Sequence, residues 1–507
     1  MYTCMQLNIS TCLYTEDEDF VLAIYNPLSQ NVVSPIRIPV QQGKYSVVDL
    51  TDGNEITSQI VPIPKSVQKI PGRNGGATDE LVFFASLPPL GYKTYTVKRN
   101  SKNTNINQQA TAEFYNVSVD KNGHIVVKWK KQNMELTQSF HYYEGMEGNN
   151  EEFKNRSSGA YIFRPRSSSV KNFLKPGSYK IFEGPLVKEI HQYVTDWVCQ
   201  VVRIYNGMQY IEFDWLVGPI PVKDKIGKEI VTRYYSSLNS SGEFYTDSNG
   251  REMLKRKRDY RPTWNVELEE QVSGNYYPIT SKISLKDEES QLKLSLLTDR
   301  AEGGTSMRDG EIEMMVHRRL LKDDAFGVGE ALNESAFGEG LVIRGSHYII
   351  GGSLKNLDEL ALEEKTLARR LLLRPWPFII PATGLAKALP PNVHILTLEP
   401  WKDNTVLLRL EHIFEVGETA SLSKPVEVNI QDLFATFTVV SIKETTLGGN
   451  QWIQDMNRLK WESETNDVFQ MEDNLSHSVE MEGSVINVLL KPMEIRTFIV
   501  EIVPRHS

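Results

Sequence analysis

One block of charge, His317, Arg318, Arg319, Lys322, Asp323 and Asp324, stands out in this 507-residue sequence as a place where residue types and spacing could do chemistry. Such packing hints at an active site. It also has a plainer reading. Desolvated charges need partners, so Asp323 and Asp324 are expected to pair with Arg318 and Arg319. A glycosidase needs two carboxylates about 5–10 Å apart. Asp323 with Asp324, or Glu311 with Glu313, could be named for that role, but 65 acidic residues offer too many pairs to rank.

Other reaction classes find less support. Catalytic zinc needs three or four ligands, two of them usually close in sequence. The nine histidines, His124, His141, His191, His317, His347, His394, His412, His477 and His506, are scattered. No His-x-Asp or His-Glu-x-x-His occurs, and isolated structural or surface histidines are expected. There is no Gly-x-Ser-x-Gly elbow and no phosphate-binding loop. Gly327-Val-Gly329 has no βαβ unit around it to make it a dinucleotide site. The basic run Lys255-Arg256-Lys257-Arg258 reads as a solvated turn before a strand at Trp264. Sugars stack on aromatic rings, which makes Tyr161, Phe244, Tyr245, Tyr260, Trp264, Tyr276 and Tyr277 candidates, although strand aromatics are usually core.

The elements that must position these groups are strands. Leu292, Leu294 and Leu296 point one way, Lys293 and Ser295 the other. Ile283 and Leu285 pair with them across the polar turn 286–290, and a glycine-rich turn is expected at Gly303-Gly304. Ile211, Phe213, Trp215 and Val217 share a face, opposite Glu212 and Asp214. Further strands are expected over 21–25, 81–84, 125–129, 406–410 and 426–430, which together give an all-β pattern of sandwiches. One helix interrupts it. Ser353 can cap it, Leu354, Leu357, Leu360, Ala361, Leu367, Ala368 and Leu371 fall at helical spacing, and Pro375 limits it. This helix could bridge two β domains. Pro89–Val97 echoes Pro492–Val500, each reading as a turn followed by a closing edge strand. The first would end a domain near residue 100, where a polar tract over 100–109 resembles a linker.

Length suggests roughly three domains. Apolar content of 40%, charged content of 24% and a net charge of -9 fit a globular protein whose main partner is not nucleic acid. No apolar run is long enough for a membrane span. The N-terminus lacks the charged and apolar regions of a signal peptide. Cys4 and Cys12 could close a short disulfide in an oxidising compartment, and two free thiols fit the spacing equally well. Cys199, on an apolar strand, reads as a buried thiol. Sequons stand at Asn8, Asn116, Asn155, Asn239, Asn333 and Asn474.

A series of motifs resembles one enzyme family in order along nearly the whole chain. They run from Cys4-Met-Gln-Leu-Asn-Ile-Ser-Thr-Cys12 through Ser158-Gly-Ala-Tyr-Ile-Phe-Arg-Pro165, Val217-Gly-Pro-Ile-Pro221, Phe244-Tyr-Thr-Asp-Ser-Asn-Gly250, Arg258-Asp-Tyr-Arg-Pro-Thr-Trp264 and Gly274-Asn-Tyr-Tyr-Pro278. They continue with the 292–334 block, Leu407-Leu-Arg-Leu-Glu-His412, Asp432-Leu-Phe-Ala-Thr-Phe437 and Glu494-Ile-Arg-Thr-Phe498. The sequence is similar to the C-terminal half of the lysosomal-type α-mannosidases of glycoside hydrolase family 38.

The resemblance implies tandem β-sandwiches: a small one over 1–100, a large galactose-mutarotase-like one over 101–375 ending in the helix, and a C-terminal β domain over 376–507. It implies a Cys4–Cys12 disulfide, a lysosomal or secreted location, and retaining hydrolysis of terminal α-D-mannose. The family's zinc and Asp nucleophile sit in an N-terminal β/α barrel, placed upstream of the Cys4 motif. This chain is therefore expected to bind no metal and to be inactive alone, with Met1 marking a truncated gene model, a fragment or a separately made chain. Its partners would be that barrel and mannose-containing glycans, and a homo-oligomer stays open. By motif position Tyr161, and Arg318 or Arg319, resemble the family's substrate-contacting Tyr and Arg. Many relatives carry Gly-Arg or a similar polar pair where this chain has Ala325-Phe326. The alternative is a stand-alone carbohydrate-binding or scaffold sandwich without catalysis.

Overall fold

The computed structural model describes residues 4, 6–16, 19–100, 114–173, 177–327, 329–378, 385–431, 433–434, 437–456, 479–482 and 485–504. Residues 101–109 of the expected linker, Asn474, His477 and His506 lie outside them. The architecture is tandem β-sandwiches with one long helix, as the alternation predicts.

The first sandwich sets the five-stranded order Trp376–Phe378, Asp19–Tyr25, Tyr92–Asn100, Lys44–Asp49, Glu55–Ile56 against a three-stranded sheet of Val32–Val40, Asp79–Leu87 and Ser58–Pro62. Leu81, Phe83 and Ala85 alternate into its core beside Ile24, Ile38 and Val47. Val82, between them, is just as buried, because the other face of that strand packs on Val187 and Tyr205 of the large domain. The strand Trp376–Phe378, expected in the C-terminal domain, instead pairs with Ala23 to Tyr25.

The large domain stacks an eight-stranded on a nine-stranded sheet. Their shared core contains Ile211, Phe213, Leu285, Leu294, Leu296 and Ile349. The strands Lys282–Asp287 and Leu292–Thr298 form the expected pair. The Gly303-Gly304 pair is not a turn. It lies in the strand Glu302–Thr305, between Tyr277–Ile279 and Glu311–Arg319. Glycine is required there by crowding: a Cβ on Gly304 would stand 2.8 Å from Ile279 Cγ1 and from Met314 Sδ. The basic run also differs from expectation, since Lys255 to Lys257 sit inside the strand Glu252–Lys257 and Trp264 lies in an irregular segment.

The Ser353 side chain accepts the Lys355 N–H, a 3-10 turn follows, and the helix runs Leu357–Leu372. Leu360 and Leu367 pack on Leu297, Tyr348 and Ile350, while Ala361 meets Ile413 and Phe414, so the helix does bridge the large and C-terminal domains. It also buries Glu364, which accepts from Lys282 (2.5 Å), Lys293 (2.9 Å) and Ser295 (2.7 Å). The polar face predicted for Lys293 and Ser295 is thus covered, with one carboxylate shared by two lysines.

The C-terminal sandwich packs Val393–Pro400, Thr405–His412, Ile495–Pro504 and Phe437–Thr445 on a three-stranded sheet. The internal echo is real in one respect: Leu90 and Met493, each after the proline, both take positive φ (43° and 65°) before their strands start. The strands themselves are interior. Tyr92–Asn100 and Ile495–Pro504 each have neighbours on both sides, where edge strands were expected.

Candidate functional site

The strands Lys228–Ser236 and Glu311–Arg319 run antiparallel and place Glu229 directly opposite Arg318. Cross-strand neighbours of opposite charge stabilise such a pair. Arg318 donates to Glu229 Oε1 from Nε (3.1 Å) and Nη2 (2.7 Å). The same Nη2 reaches the carbonyl oxygens of Gly159 (2.9 Å) and Ile162 (2.8 Å). Ser158 Oγ donates to Glu229 Oε1 at 2.7 Å. Burial raises the Glu229 carboxyl, and Arg318 and Ser158 offset only part of that.

Asp324, fully buried, completes the cradle. Its Oδ2 accepts from the backbone N–H of Tyr161 (2.6 Å) and Ile162 (3.0 Å), and its Oδ1 from that of Phe326 (3.2 Å). A Cβ on Gly159 would stand 2.7 Å from the Asp324 carboxyl, so glycine there permits the approach. The expected pairing of Asp323 and Asp324 with Arg318 and Arg319 is therefore corrected. Asp324 binds backbone N–H groups, and Arg318 takes its carboxylate from a strand 89 residues away.

What this fixed loop presents is the Tyr161 ring, 67% exposed. Phe153 and Phe326 form an edge-to-face pair with centroids 6.4 Å apart, Phe326 donating its backbone N–H to the same Asp324, and Arg156 lies 4.9 Å over the Phe326 ring. Phe326 is 49% exposed. Such a surface of exposed rings beside fixed polar groups is suited to stacking on a sugar.

The structure brings Tyr161 and Arg318 together but not Arg319. Successive strand residues point to opposite faces, and Arg319 donates to Asn333 Oδ1 and the Ile220 carbonyl, both at 2.7 Å. His317 contacts the Leu341 carbonyl, its charged form disfavoured by burial, and Lys322 is exposed. Glu313 is consumed inside the sheet by Arg233, Tyr143 and Tyr276. Among the other aromatics Phe244 is core, Tyr277 lies between Arg256 and Arg261, and Tyr260 and Trp264 are exposed. Asn155 is half-buried, and Asn8, Asn116, Asn239 and Asn333 are exposed. Glu229 and Arg156 escaped sequence reasoning, since only topology makes them neighbours of Asp324, which the sequence offered as an ion-pair partner, and of Ser158, which it offered only as the start of a motif.

Cys4 and Cys12 form a disulfide, and Cys199 is buried, its thiol pushed up to about 11 by burial. Among the described residues no group of three His, Cys, Asp or Glu could hold a metal. Three buried imidazoles are already committed, His191 to Glu189, His347 to Glu302 and Tyr234, His412 to Asn392 and the Lys424 carbonyl, while buried His394, its Nδ1 unpartnered among the described residues, belongs to no such group. These residues do not fit a zinc site.

Residues 111–326 match the glycosyl hydrolases family 38 C-terminal domain, residues 392–498 the family 38 C-terminal beta sandwich domain, and residues 56–97 the lysosomal alpha-mannosidase-like central domain. The chain is 38% identical to the lysosomal alpha-mannosidase of Homo sapiens over 98% of its own length and 51% of the relative's. It is 33% identical to the alpha-mannosidase of Canavalia ensiformis, over 98% and 55%. The crystal structure of an alpha-mannosidase from Enterococcus faecalis V583 superposes with a TM-score of 0.59 at 10% identity, covering 96% of this chain and 57% of that one, which shows a shared fold. The chain thus spans about half the length of the curated relatives it matches. From its motifs, its sandwiches and these matches, the chain belongs to glycoside hydrolase family 38, as a C-terminal half of a lysosomal-type α-mannosidase.

Proposed function

We propose that this chain supports the catalytic barrel of a retaining, zinc-dependent α-mannosidase and lines one wall of its mannoside pocket. The observation that carries this reading is the Tyr161 loop: its backbone is clamped by Asp324 and Arg318 while its ring is left open. Holding the loop in place before substrate arrives lowers the ordering cost of binding. In this reading Tyr161 contacts the sugar. Arg318 is a positioning residue acting through the 158–162 loop. Zinc would activate the substrate from the barrel, and no residue described here takes part in bond breaking. Hydrolysis of terminal α-D-mannose in a lysosomal or secreted setting follows from the family.

The test is reconstitution. The 507-residue chain alone, supplied with zinc, should leave a chromogenic α-mannoside intact. Co-expressed with the N-terminal half of a relative, it should restore hydrolysis. Tyr161→Ala should then lower kcat/KM by about tenfold, the equivalent of one hydrogen bond and a stacking contact. Zinc-dependent turnover by the chain alone, or full reconstituted activity in Tyr161→Ala, would overturn the proposal. Mannose binding by the isolated chain without any reconstitution would favour a stand-alone glycan-binding protein instead.

A further inference from the structure

A cavity of about 400 Å³ lies between the first sandwich, the nine-stranded sheet and the end of the long helix, away from the Tyr161 loop. Its walls differ chemically. On one, every arginine is matched. Arg37 donates to Glu80 (2.7 Å) and Glu189 (2.7 Å), Arg203 to Glu212 (2.7 Å) and Asp214 (2.6 Å), and Arg344 to both oxygens of Asp214.

On the other wall the helix Leu357–Leu372 delivers Arg370, with Arg374 just beyond its end. Arg370 has no carboxylate partner among the described residues, and its Nε is sealed from solvent without a hydrogen bond. Arg374 reaches the Tyr348 hydroxyl at 3.2 Å and stands 3.9 Å from Asp299. Between the walls runs a strip of tyrosine rings, Tyr205 to Tyr210 at 6.3 Å and Tyr210 to Tyr348 at 5.7 Å.

An arginine in a protein does not give up its proton, so the Arg370 charge persists with no carboxylate to offset it, and an anion would meet it at the guanidinium edge that faces the cavity. Burial already weighs against the Arg370 charge. A helix C-terminus favours cations through its dipole, which explains why basic residues stand there but supplies no full counter-charge. The carboxylates of the cavity supply none either, since Glu80, Glu212 and Asp214 are taken by Arg37, Arg203 and Arg344, and Asp299 by Arg300.

We propose that this cavity binds a small oxyanion, a carboxylate, phosphate or sulfate group, held by the Arg370 guanidinium with Arg374 beside it. The tyrosine strip faces whatever the anion is attached to. The volume falls within the range of small-ligand sites at domain boundaries.

The test titrates the full chain with inorganic phosphate, sulfate and acetate at constant ionic strength set by chloride, reading thermal midpoint and heat of binding. A saturable rise in midpoint with phosphate or sulfate is expected, and the acetate arm tells whether a monoanionic carboxylate suffices. Arg370→Ala should weaken binding about tenfold or more, the loss of a charge-assisted hydrogen bond. Arg374→Gln, at a half-exposed position that folding tolerates, should weaken it by a smaller factor and keeps the test decisive if Arg370→Ala does not fold. Equal responses in parent and both variants, or a chloride response matching phosphate, would overturn the site.

Discussion

Two arginine–carboxylate arrangements in this molecule look alike in sequence and behave differently in structure. At the boundary of the first sandwich, Arg203 meets Glu189, Glu212 and Asp214 while Arg37 and Arg344 share the same carboxylates. At the Tyr161 loop, Arg318 meets Glu229 alone, and Glu229 Oε2 has no partner. The consequence shows in protonation. Burial would raise the Asp214 carboxyl, but Arg344 and Arg203 outweigh it and hold it below the usual carboxylate range. Glu229, with one guanidinium, stays raised. A multiply paired network can lock two domains together. A singly paired charge can brace a loop and still leave one side open for a ligand.

The sharpest way to break this comparison is Arg203→Leu. It leaves Glu212 buried without its arginine and takes one of two arginines from Glu189 and from Asp214, and should cost about 3–5 kcal/mol, read as a large fall in the thermal midpoint. A change below about 1 kcal/mol would show that the network is not a lock. Arg318→Ala should cost less, about 2 kcal/mol, because Glu229 can take up a proton. The damage should be local, with faster proteolysis around residues 158–162, and uniform destabilisation without local cleavage would contradict the brace.

The smallest effect separates the regions by sign. A raised carboxylate contributes stability that is complete below its unfolded pKa, near ~4.3 for Glu, and is lost as pH rises through the folded value. A depressed one contributes above its unfolded pKa, near ~3.9 for Asp, and loses that contribution as pH falls. Thermal midpoints of Glu229→Gln relative to the parent should therefore improve as pH rises. Those of Asp214→Asn should improve as pH falls below ~3.9. Parallel trends in the two variants would remove the distinction.

Much of the framework was legible because period-2 alternation survives at nearly every strand. Ile211, Phe213, Trp215 and Val217 face inward as read, and the helix follows the 3-10 turn that Ser353 caps. What alternation cannot say is what covers the polar face. Glu212 and Asp214 lie opposite those residues and are buried all the same, because the first sandwich sits on them. Lys293 and Ser295 likewise wait for Glu364, some 70 residues on. At the site, the family motifs located Tyr161 and narrowed the arginine to two. Choosing Arg318 needed the register against Glu229, which depends on strand order and not on local pattern.

The short strand Trp376–Phe378 carries a consequence for how the chain is made. It completes the edge of a sheet whose other members lie within the first 100 residues. During vectorial synthesis the first sandwich must wait, its Asp19–Tyr25 edge unpaired, until the whole large domain and the helix have emerged. An unpaired edge is a template for wrong partners. The first sandwich is thus finished only after the large domain that follows it, and the order of folding runs against the order of the sequence.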